Sequence, residues 1–300
     1  MSLPDNVRAA CEHVAGAARQ VRIVETAITA YAETLPAESP PAPDLARGAP
    51  DEQRAAFGLQ LNAVNFGSGW FPTLRKPAGL SGFRTVEAGL KARGPWSAEA
   101  LTRIDSAEAA HTFGGQDPEH ELMALFARAL NELGDHVLER HAGSFLSLAR
   151  CGDGSAVRLA ERLASLPTWL DVSRYDGATV PFFKRAQLAA ADLHLQGIAP
   201  AADVAALTLF ADNLVPHVLR IDGVLEFDAP LVARIDRGEL LEHDSSEEVE
   251  IRACAVHAVE LLVAAHERTT ATAVDNTLWQ RGGGARYKAR PRHRARTTAY

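Results

Sequence analysis

The chain has 300 residues, of which 47% are hydrophobic and 23% are charged, a composition typical of a globular protein with a substantial core. It contains no run of eighteen apolar residues, so we expect no membrane-spanning helix and no membrane partner. The polar stretch MSLPDNVRAACEH lacks the apolar segment of a signal peptide, and the three cysteines are too few and too scattered for a disulfide framework. These features predict a protein of the reducing cytoplasm.

The formal net charge of −7 is unevenly distributed along the chain. Residues 281–300, RGGGARYKARPRHRARTTAY, contain seven lysines and arginines and no acid, so residues 1–280 carry −14, which is −7 minus 7. An acidic body argues against a broad nucleic-acid surface, because phosphate affinity comes from distributed Lys and Arg. The basic tail has two interpretations, an anion-binding segment or a disordered extension.

Helical spacing of apolar residues dominates the first half of the chain. Predicted helices lie at about 6–19, 21–35, 51–65, 81–93, 97–103, 106–112 and 118–140. We predict a proline-rich loop at 36–50 and a second loop at 66–76, FGSGWFPTLRK. Phe66 and Trp70 of the second loop either pack beneath it or contact a flat ligand.

Helical spacing continues through the second half. Predicted helices lie at about 155–165, 184–196 and 203–210, then from Pro216 onwards and at 245–267. Ser245 and Glu248 have the spacing of a capping box for the last of these. We find no alternating strands of useful length, no heptads and no internal repeat. The sequence therefore predicts an all-α fold with at most one short hairpin, as a single helical unit over 1–300 or as two closely packed subdomains at about 1–145 and 146–300.

Several kinds of catalytic site have no support in the sequence. Glu132 and His136 are four residues apart with His141 nearby, but surface helices often hold such pairs, and there is no H-E-x-x-H or C-x-x-C motif. No G-x-S-x-G elbow occurs, and the glycine-rich stretches do not follow strands, as a dinucleotide-binding loop would. We therefore predict no metal and no cofactor.

Three carboxylates lie in apolar surroundings. Asp192 is on an otherwise apolar helix stripe, Asp212 lies at a break between two helices, and Asp275 precedes Trp279 by four residues, so that on a helix the two share a face. Burying an unpaired carboxylate costs several kcal/mol, so each needs a partner, a ligand or a shifted pKa. The alternative for Asp212 and Asp275 is a helix cap.

Five segments together resemble one known family. They are FFKRAQLAAADL, FADNLVPHVLR, EEVEIRACAVHAVELL, DNTLW and PRHRARTTAY. In this order they resemble the queuosine salvage proteins, the queuosine 5′-phosphate N-glycosylases/hydrolases that release the base queuine. The resemblance runs from LNAVNF (61–66) to the last residue. It implies a helical fold similar to that of helix-hairpin-helix DNA glycosylases, without their basic DNA-binding face.

The resemblance also implies a division of roles within the site. Asp275 is implied as the catalytic carboxylate. The side chains expected to contact the base are Phe210, Asp212, Trp279 and Asp192. We expect Asp192 to pair with Arg185 or with an arginine of the tail, and it is the alternative catalyst should Asp275 prove dispensable.

A nucleotide substrate also requires cations for its phosphate, because guanidinium and ammonium groups match phosphate oxygens. The candidates are Lys184, His293, Arg294 and Arg296. Removal of residues 286–300 should then collapse turnover. We expect a monomer that binds a small-molecule nucleotide and no nucleic acid; a non-catalytic binding protein for queuine or a related nucleotide, and a nucleic-acid glycosylase that uses the basic tail, are the alternatives.

Overall fold

The computed structural model describes residues 1–37, 48–266 and 268–300. Most of the predicted loop 36–50, and the predicted helix end at Glu267, lie outside these residues. Fifteen α-helices occur in the described ranges. They are α1 (Leu3–Ala17), α2 (Glu25–Ala32), α3 (Asp51–Ala63), α4 (Gly82–Arg93), α5 (Ala98–Leu101), α6 (Ser106–Thr112), α7 (Glu121–His141), α8 (Phe145–Arg150), α9 (Ala156–Ala164), α10 (Lys184–Leu195), α11 (Val215–Ile221), α12 (Ala229–Asp236), α13 (Ser246–Ala265), α14 (Ala271–Arg281) and α15 (Ala285–Lys288).

The prediction of at most one short hairpin was wrong, because the described residues form three two-stranded sheets. The strands are β1 (Val21–Ile23), β2 (Val172–Tyr175), β3 (Ala178–Pro181), β4 (Leu225–Phe227), β5 (Leu240–Leu241) and β6 (Arg294–Ala295). Strands β2 and β3 form a hairpin, β1 pairs antiparallel with β4, and β5 pairs in parallel with β6. The fold is nonetheless predominantly helical, as expected.

Two predicted helices are shorter in the structure, because hydrogen bonds to distant residues hold part of each segment extended. The helical part of the first is α2, Glu25–Ala32. The predicted helix at 21–35 begins instead with β1, whose Val21 pairs with Phe227 in β4. The predicted helix at 203–210 is reduced to one 3₁₀ turn at Val204–Ala206. After that turn the side-chain amide oxygen of Gln187 accepts the Thr208 N–H at 2.9 Å, which holds the segment extended towards Phe210.

Helix α13 lies at the centre of the fold and packs against α1, α2, α11 and α14. Its buried residues surround the helix, as expected for a helix in the interior of a large protein. The predicted capping box at its start is half formed. The Glu248 N–H donates to Ser245 Oγ at 3.3 Å, whereas the Glu248 carboxylate accepts the N–H of Asp244.

The basic tail is packed against the body of the protein, so its interpretation as a disordered extension was wrong. Arg294–Ala295 forms β6, and Ala299 and Tyr300 are buried with Ala295 in a small cluster. The backbone oxygen of Tyr300 accepts the N–H of Gly67 at 2.9 Å, which joins the tail to the loop that follows α3. None of the helices in the described ranges combines the length and the apolar character needed to span a membrane. The proposed boundary between subdomains at residue 145 stays a prediction.

Candidate active site

The first wall of the site is the start of α10, where Lys184 is buried. The preceding residue, Phe183, has a left-handed backbone with φ of 51°, which is costly for a bulky side chain and needs support from its surroundings. Asp171 supplies that support, since its carboxylate accepts the Lys184 N–H at 2.9 Å in place of a cap from Phe183 itself. The Lys184 ammonium then donates to the backbone oxygen of Asn65 at 3.2 Å.

The second wall is the segment Phe210–Asp212. We call it the FAD turn after the one-letter codes of its residues, Phe, Ala and Asp. Asp212 Oδ1 accepts the N–H groups of Leu214 and Val215 at 2.7 and 3.2 Å, where Leu214 is the N-cap residue of α11. The other oxygen of Asp212, Oδ2, accepts no hydrogen bond from any described residue. Asp212 is therefore not the N-cap that the alternative held, although it anchors the backbone at the start of α11, and its side chain lines two cavities.

The third wall is α14, which carries Asp275 and Trp279. Thr270 caps this helix, accepting the Ala273 N–H at 3.2 Å, so Asp275 is not the helix cap that the alternative interpretation held. Asp275 is buried instead, and its Oδ1 accepts the Phe210 N–H at 3.3 Å.

Burial raises the pKa of the Asp275 carboxyl well above its usual value, and the negative charge of Asp212 raises it further. The Lys184 ammonium and the Phe210 N–H act in the opposite direction, and Asp192 adds a smaller upward effect. The site thus holds one acid whose charge state depends on groups from two other segments, the FAD turn and α10. Strongly perturbed acids of this kind are typical of catalytic sites.

The three walls enclose two adjoining cavities of about 110 Å³ and about 750 Å³. Both are bordered by Lys184, Asp212 and Trp279. Asp275 and Phe210 line the small cavity, whereas cationic side chains of the tail line the large one. The structure therefore places a buried acid and an aromatic pocket next to a region of positive charge.

Helix α4 contributes two site residues that the sequence reasoning missed. Phe83 and Arg84 border both cavities. The Phe83 ring meets the Trp279 ring edge-on with centroids 6.0 Å apart, and the Arg84 guanidinium lies 5.0 Å from the Trp279 ring centroid. These contacts fix the indole between α4 and α14. No motif in the sequence pointed to them, because their role depends on the packing of α4 against distant residues.

Asp192 lines the small cavity, but the prediction that it pairs with Arg185 or a tail arginine was wrong. Its Oδ2 accepts the side-chain N–H of Asn62 at 3.0 Å. Burial raises the pKa of Asp192 to about 6, with Asn62 and Lys184 holding it below what burial alone would give. Arg185 points elsewhere and donates to the backbone oxygens of Ala63 and Thr168.

The predicted phosphate contacts separate into two groups. Lys184 and Arg294 line the large cavity, and so does Arg292, which the prediction omitted although it stands in the same basic run. His293 and Arg296 are not among the described residues that line either cavity. Arg296 is exposed, 3.8 Å from a Glu121 carboxylate oxygen.

His293 differs from the other predicted phosphate contacts, because its side chain is fully buried. Burial lowers the pKa of its imidazole to about 3, so the ring is neutral. Neither ring nitrogen hydrogen-bonds to a described residue. The tail cations that line the large cavity are Lys288, Arg290, Arg292 and Arg294.

The two aromatic residues singled out in the predicted loop at 66–76 have different surroundings. Phe66 is buried, lines the large cavity and meets the Phe126 ring edge-on at 5.1 Å between centroids. Trp70 packs beneath the loop, where its indole N–H donates to Glu121 at 2.8 Å, and it is not among the described cavity-lining residues. Of the two interpretations of Trp70, packing is correct.

The Glu132 and His136 pair is part of α7 and has a structural contact. The Glu132 carboxylate accepts the backbone N–H of Thr168 at 3.0 Å, and the His136 and His141 rings lie 5.3 Å apart. Within the described ranges, no group of three or more His, Cys, Asp or Glu side chains is arranged to hold a metal ion.

Comparisons with known proteins give the chain a family. The family model described as "Queuosine salvage protein" matches residues 77–300. A Sphaerobacter thermophilus protein named queuosine 5′-phosphate N-glycosylase/hydrolase is 34% identical over 268 residues, which cover 83% of this chain and 82% of that protein. A Bos taurus protein of the same name is 37% identical over 140 residues, and a Dictyostelium discoideum one is 30% identical over 215.

The extent of these matches differs among the relatives. The match to the Bos taurus protein covers 45% of this chain and 41% of that protein. The match to the Dictyostelium protein covers 68% of this chain and 66% of that protein. Residues 77–300, which the family model matches, include α10, the FAD turn, α13 and α14. The chain belongs to the queuosine salvage protein family.

Proposed function

We propose that this protein hydrolyses the N-glycosidic bond of queuosine 5′-phosphate and releases the base queuine. The names of its relatives support the substrate and the reaction. The observation that carries the proposal for this chain is the position of Asp275, a buried carboxylate on the wall of a small cavity that adjoins a larger, cation-lined one. A base in the first cavity and a phosphate in the second would bring the sugar between them, beside that carboxylate.

The chemistry requires stabilisation of positive charge on the sugar. Because a 7-deazapurine lacks N7, protonation there cannot activate the leaving base. As the bond from C1′ to the base nitrogen breaks, its electrons go to the base and C1′ becomes oxocarbenium-like. An ionised Asp275 stabilises this charge as an ion-pair partner or as a nucleophile that forms a transient ester. Water finally supplies a hydroxyl to C1′ and a proton to the base.

The small cavity has the composition that a flat, polar base requires. Phe210 and Trp279 provide aromatic surface, and stacked rings exclude water from neighbouring polar contacts. Asp212 Oδ2 accepts no hydrogen bond from a described residue and is available to accept base N–H groups, while Oδ1 accepts the N–H groups of Leu214 and Val215. Asp192 adds a second acceptor. It lines the small cavity and not the large one, so it lies away from the basic tail.

The 5′-phosphate is assigned to the large cavity. Lys184, Arg292 and Arg294 line it, and neither arginine forms an ion pair or side-chain hydrogen bond with any described residue. Burial lowers the pKa of Arg292, an effect that the Asp212 carboxylate partly offsets. A partly buried guanidinium gains most from an anionic ligand, and phosphate binding far from C1′ can position the sugar for reaction.

The proposal extends to a cytoplasmic monomer that acts on a free nucleotide and whose fold is similar to that of helix-hairpin-helix DNA glycosylases. The three free cysteines support a reducing compartment such as the cytoplasm. The −14 net charge of residues 1–280 supports a free nucleotide as substrate in place of a nucleic acid. Light scattering would test the monomer. A steep salt-dependent affinity for tRNA would contradict the absence of a nucleic-acid partner.

The decisive experiment follows base release directly. Purified protein is incubated with queuosine 5′-monophosphate and the products are separated by liquid chromatography. We expect queuine and ribose 5-phosphate to appear in equal amounts, and release by Asp275→Asn to be slower by about 10³-fold or more. Tight binding of the nucleotide without any base release by the unmodified protein would instead identify a non-catalytic binding protein.

A further inference from the structure

The segment EEVEIR places Arg252 on the central helix α13, where it is fully buried. Its two terminal nitrogens donate to the two carboxylate oxygens of Asp171 at 2.9 and 2.7 Å, and its Nε donates to the backbone oxygen of Ala211 at 2.9 Å. The guanidinium carbon Cζ also lies over two aromatic rings, 3.9 Å from the Phe182 centroid and 4.6 Å from the Tyr300 centroid. A second carboxylate, that of Glu248, lies 3.7 Å from Arg252 Nη1. A bidentate, stacked arginine has a fixed geometry that lysine cannot reproduce.

The two groups that accept hydrogen bonds from Arg252, Asp171 and the Ala211 carbonyl, lead directly to the site. Asp171 Oδ2, which accepts from Arg252, also accepts the Lys184 N–H, so it sets the start of α10. The Asp171 backbone oxygen accepts the N–H groups of Phe182 and Phe183, including the residue with the left-handed backbone. The strained entry into α10 thus depends on a carboxylate that Arg252 holds in place.

The other partner, Ala211, is the middle residue of the FAD turn. Phe210 on one side donates its N–H to Asp275, and Asp212 on the other side faces the cavities. Fixing the Ala211 carbonyl therefore fixes the orientation of both neighbours. One guanidinium joins the segment with Lys184 to the segment that contacts Asp275.

We propose that Arg252 is a positioning residue for base release, which sets the distance between Lys184 and the FAD turn and keeps the Phe210 N–H on Asp275. Arg252 does not line either cavity among the described residues, so its effect is indirect. The inference rests on the proposed function, since it concerns the same carboxylate. It predicts that disturbing Arg252 changes the ionisation of Asp275 as well as the rate.

Arg252→Lys is the principal test. We expect kcat for queuosine 5′-monophosphate to fall by about 10²-fold with a smaller change in KM, because a misplacement near 1 Å can cost that much. The acid limb of kcat/KM should also move to higher pH. The Phe210 N–H lowers the pKa of Asp275, so its loss raises that pKa; the other charged groups facing Asp275 are Asp212, Lys184 and Asp192.

Glu250→Gln is the matched control. Glu250 lies two residues away on the same helix and is equally buried, but its carboxylate accepts the N–H groups of residues 19–21 and the Tyr175 hydroxyl, away from the site. We expect this variant to lower Tm while kcat, KM and the acid limb stay within twofold of the unmodified protein. A folded Arg252→Lys variant that behaves in the same way, with wild-type kcat and acid limb, would overturn the proposal.

A second variant keeps the test decisive if Arg252→Lys does not fold. Asp171→Asn retains an oxygen for the Lys184 N–H but loses the ion pair with Arg252. It should lower kcat and move the acid limb in the same direction, and normal values for both would refute the link. Absence of base release by the unmodified protein would refute the proposed function itself. The role of Arg252 is tested separately, by the kcat and acid limb of each variant relative to the unmodified protein.

Discussion

The backbone N–H of Phe210 donates to a carboxylate oxygen of Asp275 at 3.3 Å, across 65 residues of chain. This bond connects the FAD turn to α14, the two motifs that the family resemblance singled out separately. It also gives the buried acid one hydrogen bond in its ionised form, which opposes the cost of burial. The position of the turn and the charge of the acid are therefore coupled.

Asp275→Asn should reduce base release by about 10³-fold or more, because the amide cannot stabilise positive charge at C1′. The Asn oxygen can still accept the Phe210 N–H, so the fold and queuine binding should persist. Single-turnover release measures the first effect, and equilibrium binding of queuine measures the second. Near-normal turnover would instead make Asp192 the catalyst.

The pH dependence of kcat/KM should show an acid limb that lies above the range of an ordinary aspartate. A carboxylate that must be ionised gives a rate that rises with pH and levels off above its pKa in the free enzyme. Burial and Asp212 raise the pKa of Asp275, so the rise is displaced to higher pH.

Two substitutions should move this limb in opposite directions. Lys184→Met removes a charge that lowers the pKa of Asp275, and the limb should shift to higher pH; Asp212→Asn removes a charge that raises it, and the limb should shift to lower pH. Titration of the substrate phosphate is common to all variants and cancels in the comparison. A shift of the acid limb in the same direction in both variants would show that a group other than Asp275 controls it.

Asp192→Asn should stabilise the protein at high pH. The folded state raises the pKa of Asp192 from 3.8 to about 6, so its favourable contribution is complete below pH 3.8 and is lost as the pH rises through about 6. The amide avoids this loss and can still accept from Asn62. Chemical denaturation should give a gain of about 1–3 kcal/mol at pH 8 and about half of it at pH 5. A gain that does not vary with pH would contradict this account.

Local signals in the sequence predicted most of the helices. The span of α10 was predicted to within a residue, and Pro216 indicated the start of α11 to within a residue, since the helix begins at Val215. By contrast, β1 was predicted as helix, because a three-residue strand is defined by its partner at 225–227 and not by its own pattern. The same limit applies to the extended segment before Phe210, which a distant glutamine holds in place.

The sequence predicted the site residues that belong to a recognisable motif. It did not predict those whose role depends on packing against distant residues. Lys184, Asp212, Asp275 and Trp279 are brought together around the two cavities, which agrees with where the motifs placed them, although their roles stay predictions. The partner of Asp192 could not be foreseen, because Asn62 is 130 residues away in the chain. The burial of His293, which lowers the pKa of its imidazole, is likewise not revealed by composition.

The phosphate assignment can be tested without removing the tail. Deletion of residues 286–300 would also remove β6 and the buried Ala299 and Tyr300, so a loss of turnover would not distinguish phosphate binding from unfolding. Arg292→Gln combined with Arg294→Gln leaves this packing in place. Arg296→Gln is the matched control, because Arg296 lies outside both cavities beside Glu121.

We expect the double variant to lose about 10²-fold or more in kcat/KM for queuosine 5′-monophosphate, because its remote phosphate would no longer position the sugar. The loss should be much smaller for the nucleoside queuosine, which has no phosphate to bind. Arg296→Gln should match the unmodified protein on both substrates. Equal losses on nucleotide and nucleoside would place the phosphate elsewhere, since a true phosphate contact acts only when the phosphate is present.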